Sequence, residues 1–201
     1  MGRRSAQESR LTRQRLIDAA LEVFASEGTT RATLESIGRL AGYSRGAVHW
    51  YFPDRKVLLQ AVLDQHQLPL EAFLSSAELE AGIDQLLLAL EQTISSREAR
   101  NLCRILLGGS EDYQHQVLLG RRLGQIQERF QTQIVSLLTL IEASGARPDA
   151  DWIHDATQFL RVFMTGLIFE SLKSAKPPSS HVELFEKALA SIVRLPRGPA
   201  C

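Results

Sequence analysis

The side chains with the clearest recognition chemistry lie in one short segment, Arg45 to Tyr51, with the sequence RGAVHWY. At helical spacing Arg45, His49 and Tyr51 share the outward face, while Ala47 and Val48 suit the buried face. A helix of about two turns that carries a basic residue, a glycine and aromatic rings is poorly suited to a protein core. It suits a recognition helix, which lies in the major groove of DNA with its first residues against base edges.

The residues before this segment predict the elements that position it. Thr33 can cap a helix that begins with LESIG, and the apolar residues that follow recur on one face at helical spacing. Gly42 can adopt the left-handed conformation of a sharp helix end, and Ser44 can cap the next helix. The stretch 33–52 therefore predicts a helix-turn-helix. Taken alone, it also fits an ordinary helix pair in an all-helical domain, since helix-turn-helix shapes occur without DNA.

The flanking sequences extend this pattern. An amphipathic segment, RLIDAALEVFASEG, precedes it, and PDRKVLL follows it. Together with TLESIGRLAGYSRGAVHWYF, these segments resemble the N-terminal DNA-binding domain of the TetR/AcrR family of transcriptional regulators, nearly without a break from about Thr12 to Leu59. The second half of the chain more loosely resembles the AcrR-like branch, whose members mostly repress multidrug efflux genes.

The helical pattern and the resemblance together predict an all-α fold of about nine helices. Residues 10–67 are expected to form a three-helix helix-turn-helix DNA-binding domain, with its DNA-binding motif at 33–52. Residues 68–195 are expected to form a helical domain for effector binding and dimerisation. Residues 1–9 are expected to be a disordered basic arm.

The resemblance assigns DNA-facing roles to the matching positions of this sequence. It implies that Arg45 reads a base, because its guanidinium can pair bidentately with guanine, and that Gly46 lets the backbone approach DNA closely. Arg55 lies at the start of a helix, where the N-terminus favours anions such as phosphate. The expected DNA-binding residues are Thr33, Ser44, Arg45, Gly46, His49, Trp50, Tyr51, Arg55 and Lys56.

Two positions depart from the family pattern. The family usually places histidine directly before the phenylalanine and tyrosine two residues earlier, whereas this chain has His49-Trp50-Tyr51 before Phe52. The phosphate or base that each of these side chains meets is therefore open. Gly38 stands where alanine is common, and it is expected to loosen its helix slightly.

The charge distribution favours DNA binding although the formal net charge is +0. Residues 1–60 carry ten basic and six acidic side chains, so this part is net positive by four and the remainder net negative by four. The positive part contains the predicted helix-turn-helix, and clustered basic residues are typical of nucleic-acid contact. The acidic part would be repelled by phosphate and should point away from DNA.

Catalysis, metal binding and membrane insertion are not indicated. The five histidines show no metal-ligand spacing, and the sequence has no glycine-rich phosphate loop or nucleophile motif. No apolar run reaches the ~18 residues that span a bilayer, and the basic, polar start MGRRSAQESR does not predict a signal peptide. We therefore expect a cytoplasmic protein that is not an enzyme, needs no cofactor and has no membrane partner. Cys103 is expected to be a small buried residue, with redox sensing as the alternative.

The segment 149–174 is apolar on nearly two faces, more than an amphipathic surface helix needs. One face is expected to pack on its own domain and the other on a second subunit. The resemblance implies that the last two helices form a four-helix interface in a homodimer; a well-buried monomer core is the alternative. The expected dimer residues are Trp152, Leu160, Met164, Leu167, Phe185, Leu189 and Ile192.

The family holds its effector pocket between the fourth and eighth helices. Glu91 and Arg104 lie among apolar neighbours, where a charge needs a partner or a ligand, although they could also pair with each other or reach solvent. The candidate lining residues are Phe73, Leu87, Leu90, Glu91, Arg104, Leu107, Phe159 and Phe163.

The predicted function is that of a homodimeric repressor. It would bind a near-palindromic DNA operator and leave it when a small apolar or aromatic effector binds, thereby controlling an efflux operon. The alternative is a DNA-binding regulator without a small-molecule effector, controlled by a protein partner.

Overall fold

The computed structural model describes residues 2–72, 78–140, 150–174 and 176–194, and the regular secondary structure in these ranges is entirely helical. This confirms the predicted all-α class. The helices of the described ranges are α1 (Gly2–Glu27), α2 (Leu34–Ala41), α3 (Arg45–Tyr51), α4 (Arg55–Gln65), α5 (Leu79–Ser95), α6 (Arg97–Gly108), α7 (Tyr113–Thr139), α8 (Ala150–Lys173) and α9 (Pro178–Arg194). A short 3₁₀ turn, Pro69–Glu71, follows α4, because proline lacks the N–H that a continuing helix would need.

Local chemistry fixes the ends of α2 and α3 as the sequence predicts. Thr33 Oγ1 accepts a hydrogen bond from the Ser36 N–H at 3.0 Å, and Ser36 Oγ accepts one from the Thr33 N–H at 3.1 Å. Gly42 ends α2 with a φ of 77°, a left-handed conformation that favours glycine. Ser44 Oγ caps α3 by accepting from the Ala47 N–H at 3.2 Å. The motif therefore contains the residues that shape its own turn.

The first helix is longer than predicted. α1 begins at Gly2, so the expectation of a disordered arm is wrong for residues 2–9. This stretch contains arginine, alanine, glutamine and glutamate, which favour helix, and lengthening an existing helix costs far less than starting one. The Tyr51 hydroxyl also donates to Ser9 Oγ at 3.2 Å, which ties the extension of α1 to α3.

The chain forms two compact units. The first comprises the residues up to 67 together with 100–123, and the second comprises 68–99 and the residues from 124 onward. Most of α6 and the first part of α7 thus pack with the helix-turn-helix, which the sequence did not indicate. The predicted functional domains, 10–67 and 68–195, stay a prediction, because compact packing does not by itself assign a function to either part.

The core of the first unit forms where α1 packs against α2 and α4. Burying one such large apolar side chain contributes about 1.5–3 kcal/mol relative to leaving it exposed. The fully or nearly fully buried side chains of this core include Leu16, Ile17, Ala20, Phe24, Ile37, Val48, Phe52, Leu58, Leu59 and Val62. This core holds the helix-turn-helix from behind and leaves one face of it to solvent.

The second unit packs α5, α8 and α9 against one another. Glu71 ties the 3₁₀ turn into this unit: its carboxylate accepts from the Leu68 N–H at 2.8 Å and from Arg129 Nη1 at 3.3 Å. None of the helices in the described part of the chain is both long enough and apolar enough to cross a bilayer.

Candidate nucleic-acid interface

α3 is a seven-residue helix that is buried on one side and exposed on the other. Val48 (0% exposed) and Phe52 (1% exposed) enter the core of the first unit. The Arg13 guanidinium lies over the Phe52 ring, 5.2 Å from its centroid, and adds a cation–π contact to this anchor. Arg45 and His49 are exposed, which confirms their predicted outward orientation.

A surface groove of about 650 Å³ lies beside α3 and reaches the first residues of α2 and α4. It is lined by Ala32, Thr33, Leu34, Glu35, Arg45, Gly46, His49, Pro53, Asp54 and Arg55. The N–H groups at the starts of α2 and α4 carry partial positive charge, which adds to the two guanidinium groups. Such a groove can hold the phosphates of a DNA backbone. The carboxylates of Glu35 and Asp54, which also line it, limit how much negative charge the groove tolerates.

Five of the nine predicted DNA-binding residues line this groove together: Thr33, Arg45, Gly46, His49 and Arg55. They come from three separate elements, so it is the packing of α2, α3 and α4 that collects them. Their assignment to DNA stays a prediction.

Arg55 makes hydrogen bonds within its own chain, whereas the sequence suggested only a contact with phosphate. Its Nη1 donates to the backbone carbonyl of Ala32 at 3.1 Å and to that of Thr30, and the side chain is half-buried. Arg55 thus joins the start of α4 to the loop before α2, and only the rest of its guanidinium faces the groove. The neighbouring Lys56 is exposed, which leaves its ammonium group accessible to a phosphate.

Trp50 and Tyr51 lie apart from the groove. Trp50 is 74% exposed, an unusual state for the largest apolar side chain, and its ring meets that of Tyr51 edge to face with centroids 4.6 Å apart. Tyr51 is half-buried because its hydroxyl bonds to Ser9 of α1. The exchange of histidine and tyrosine relative to the family pattern therefore places His49 in the groove and uses Tyr51 to hold α1. Ser44 is exposed, so its hydroxyl can donate to a phosphate while its oxygen caps α3.

Sequence reasoning missed a packing role of Gly38. A β-carbon on this residue would lie 2.7 Å from the Tyr43 carbonyl oxygen and 2.9 Å from Val48 Cγ2. The expected loosening of α2 stays a prediction, and the missing side chain also lets α3 pack closely against α2. The signal was hard to find in the sequence, since Val48 is ten residues away and only the fold brings it near.

A second feature that the sequence did not reveal joins α1 to the turn of the motif. The Tyr43 hydroxyl and Thr12 Oγ1 are 3.3 Å apart and share a hydrogen bond. Hydrogen bonds from Thr12 and then from Arg15 lower the pKa of Tyr43 below its ordinary value of 10.0. These contacts hold the turn between α2 and α3 against α1.

The predicted effector-lining residues are distributed over both units. Arg104 and Leu107 belong to the first unit, whereas Leu87, Leu90, Glu91, Phe159 and Phe163 belong to the second. Glu91 and Arg104 are exposed, and Arg104 donates to Asn101 Oδ1 at 2.9 Å, so solvent and a neighbour already satisfy these charges. Phe73 lies outside the described residues. Phe159 and Phe163 stack with centroids 5.7 Å apart, and Phe163 stacks on Phe185 at 6.2 Å.

The assignment of the dimer residues stays a prediction. Six of the seven are largely buried within the second unit of their own chain: Leu160, Met164, Leu167, Phe185, Leu189 and Ile192. Trp152 is half-buried. The periodicity correctly indicated two apolar faces on α8, and the predicted dimer residues of this helix lie mainly on the face that its own chain buries. Phe159, Val162 and Phe169, which are 52%, 60% and 43% exposed, lie on the outer face.

Within the described residues, no group of three or more His, Cys, Asp or Glu side chains is placed to hold a metal ion. Cys103 is buried, as predicted for a small core residue. The architecture of capped α2, tight turn and exposed α3 on an α1–α4 support defines the class of helix-turn-helix proteins.

Comparisons with known proteins name the family. Residues 16–62 match the family model of bacterial regulatory proteins, tetR family. The HTH-type transcriptional regulator SrpR of Pseudomonas putida is 34% identical over 200 residues, which cover 99% of this chain and 92% of SrpR. The uncharacterized HTH-type transcriptional regulator TtgW, also of Pseudomonas putida, is 39% identical over 131 residues, 65% of this chain and 96% of TtgW. The chain therefore belongs to the TetR family of transcriptional regulators, whose members are not enzymes.

A solved structure agrees over nearly the whole chain. The crystal structure of NalD, the secondary repressor of the MexAB-OprM multidrug efflux pump in Pseudomonas aeruginosa, aligns with a TM-score of 0.72. The alignment covers 92% of this chain and 96% of NalD at 25% sequence identity. Both helical parts of this chain thus have a counterpart in a regulator of known structure.

Proposed function

We propose that this regulator is a homodimeric repressor that binds a near-palindromic operator and is released from it by a small apolar or aromatic molecule. The observation that carries the DNA-binding part is the groove, where Arg45, His49 and Thr33 converge beside the exposed face of α3. The protein would act in the cytoplasm on an efflux operon. The structural similarity to NalD supports this target, since NalD is the secondary repressor of a multidrug efflux pump.

Some residues of the groove would contact phosphates and position the protein, whereas Arg45 would contact base edges and read the sequence. Thr33, His49 and the N-terminus of α4 would hold phosphates, and these contacts set the register of the protein on the duplex without reading sequence. Arg45 is the first residue of α3, so its guanidinium can enter the major groove and pair bidentately with guanine. Such a pair discriminates against a wrong base by about 1–3 kcal/mol.

An exposed stripe on α8 supports the dimer. Phe159, Val162 and Phe169 follow one another at helical spacing on the outer face of the helix, and each keeps about half of its surface exposed among the described residues. We assign this stripe, including Phe159 from the predicted pocket, to the contact with a second copy. A two-fold dimer would place two α3 helices in successive major grooves when they lie about 34–36 Å apart, which requires a near-palindromic operator.

The effector would bind in the apolar interior of the second unit. Leu87 and Phe163 are half-buried there, and Leu90 is fully buried, so a ligand would contact the first two before it displaced the third. Binding releases DNA only if the ligand prefers the conformation that fits the operator poorly.

The test begins with duplexes selected by the wild-type protein from a random-sequence pool. Enrichment of a near-palindrome, bound by a dimer, is the expected result. Arg45→Ala should weaken binding and relax the preferred base at one position in each half-site. Arg39→Ala removes an equally exposed arginine from α2 outside the groove and should change affinity much less. Equal effects of the two substitutions would argue against the groove.

The effector is tested on the same protein–DNA complex with a panel of lipophilic drugs, dyes and metabolites. A compound that binds should raise the melting temperature, by up to about 2.7 kcal/mol equivalent at a hundredfold excess over its dissociation constant, and should release the duplex. If no compound does either while DNA binding is intact, control by a protein partner replaces the small-molecule effector.

A further inference from the structure

Arg122 of α7 is a buried, charged residue that bonds to the end of α4. The side chain is only 7% exposed, and its guanidinium donates to two backbone carbonyls. Its Nε donates to the Leu63 carbonyl at 2.9 Å, and its Nη2 donates to the His66 carbonyl at 3.1 Å. Both carbonyls lie at the end of α4, which is 56 and 59 residues away in sequence and belongs to the same compact unit.

These hydrogen bonds complete the C-terminus of α4. The last four carbonyls of a helix lack intrahelical partners, and α4 ends without a glycine, in an extended residue, His66. A positive group at this end also meets the negative pole of the helix dipole. Hydrogen bonds that involve a charged group are among the stronger ones in proteins, so Arg122 holds the end of α4 firmly to α7.

The opposite end of α4 lies at the groove. Asp54 caps this start by accepting from the Val57 N–H at 2.8 Å, and Arg55 bonds to the carbonyl of Ala32 just before α2. α4 has eleven residues and is therefore about 16 Å long. Over so short a length, the position in which the C-terminal end of α4 is held also constrains where its start lies at the groove.

We propose that Arg122 is the positioning residue of this DNA-binding unit: it fixes the end of α4 to α7 and thereby sets where the start of α4 lies at the groove. The inference rests on the proposed function, in which that groove contacts DNA.

The test uses three variants of the full-length protein. Arg122→Gln removes the positive charge and the planar, forked N–H donors of the guanidinium group. Arg121→Gln is the matched control, because it makes the same change in charge at the adjacent, exposed position of α7. Arg122→Lys keeps the charge and one or two donors but loses the planar fork, so it should give an intermediate result.

Hydrogen–deuterium exchange provides a readout that needs neither operator nor effector. In Arg122→Gln, amides of α4 should exchange faster by about tenfold or more, since losing a hydrogen bond to a charged group changes an opening equilibrium by at least that factor. Amides of α2 and α3 should change much less, and Arg121→Gln should match the wild type. Unchanged exchange in α4, or an equal increase throughout α1–α4, would overturn the proposal.

DNA affinity provides the second readout, with a duplex selected by the wild-type protein as the probe. If α4 holds its binding position only a tenth of the time in Arg122→Gln, the dissociation constant should rise about tenfold at temperatures where the variant is fully folded. An unchanged dissociation constant would show that Arg122 merely stabilises the fold. If the wild-type protein selects no duplex, the proposed function fails, while the exchange data still decide whether Arg122 holds α4.

Discussion

Gly38 shows how one missing side chain can set the distance between two helices. A β-carbon there would come within 2.7 Å of a backbone oxygen, so α3 would have to move away from α2. We expect Gly38→Ala to lower the melting temperature, because overpacking costs about 1–3 kcal/mol and the better helix propensity of alanine returns at most about 1 kcal/mol. Thermal unfolding followed by circular dichroism measures the change. A stabilised variant would mean that α3 adapts at no cost.

Gly46 presents the opposite case within the same motif. The nearest atom to a β-carbon at Gly46 would be Ser44 Oγ at 4.0 Å, so the fold has room for a side chain. We expect Gly46→Ala to retain the wild-type melting temperature or exceed it by a few degrees, since alanine is the better helix former. Affinity for the selected duplex should nevertheless fall, because the added methyl group keeps the backbone from the DNA. Fluorescence anisotropy measures the affinity, and an unchanged dissociation constant would remove Gly46 from the interface.

At the scale of the helix, α8 combines an inner face that forms the core with an outer face whose apolar side chains stay largely exposed among the described residues. Val162, which is 60% exposed, lies in the middle of the outer stripe. We expect Val162→Lys to convert the dimer to a monomer, because a lysine on each of two facing helices would be buried without a counter-charge. Sedimentation velocity measures the mass.

The matched control for this prediction is Val117→Lys, which places the same charge on an exposed valine of α7. It should leave the dimer intact, and both variants should retain the helical circular dichroism of the wild type. A dimer that survives Val162→Lys would exclude the stripe as the interface.

Elements whose ends depend on neighbouring residues could be predicted from the sequence. Thr33 and Ser44 cap α2 and α3 as expected, and Asp54 caps α4 in the same way, because a cap is a contact with an N–H three residues ahead. Gly42 closes α2 for a similarly local reason. These four residues account for most of the shape of the motif, which explains why the fold and the outward face of α3 were correct.

The features that the sequence did not predict depend on contacts between residues far apart in the chain. The extension of α1 is tied to α3 by Ser9 and Tyr51, which are 42 residues apart. Periodicity revealed two apolar faces on α8 but could not tell which one the chain itself covers, and burial of Leu160 and exposure of Val162 settled that only in the fold. Arg122 has no local sign at all, since its partners belong to α4. Helix positions follow from local pattern, whereas the contacts between helices do not.

At the scale of the whole molecule, stability should depend on pH through His115. This residue is 2% exposed, and its Nδ1 has no hydrogen-bond partner among the described residues. It lies at the start of α7, where Asp112 Oδ1 accepts from its backbone N–H at 3.2 Å. Burial lowers the pKa of His115, Arg55 and Lys56 lower it further, and Asp112 and Asp54 oppose the shift.

The direction of this shift fixes the sign of the pH dependence. The unfolded chain, with an ordinary histidine pKa of about 6.5, takes up a proton before the folded chain does. The contribution of His115 to the free energy of unfolding is therefore complete above about pH 6.5 and decreases as the pH falls towards the lower folded pKa, with a slope of at most about 1.4 kcal/mol per pH unit. We expect His115→Gln to flatten the curve of stability against pH between about pH 7 and pH 5.

Urea unfolding at several pH values measures this slope in the wild type and in His115→Gln. The comparison uses slopes, so a general loss of stability in the variant does not affect it. His154→Gln serves as the control, because it removes an exposed histidine from α8 and should leave the wild-type slope unchanged. His115 packs where the start of α7 meets the charged groups at the start of α4, so its protonation would also disturb the groove. The contrary result is that His115→Gln and the wild type lose stability in parallel on acidification. That result would mean that protonation of a residue other than His115 destabilises the fold, and that the start of α4 is not the acid-sensitive part of the molecule.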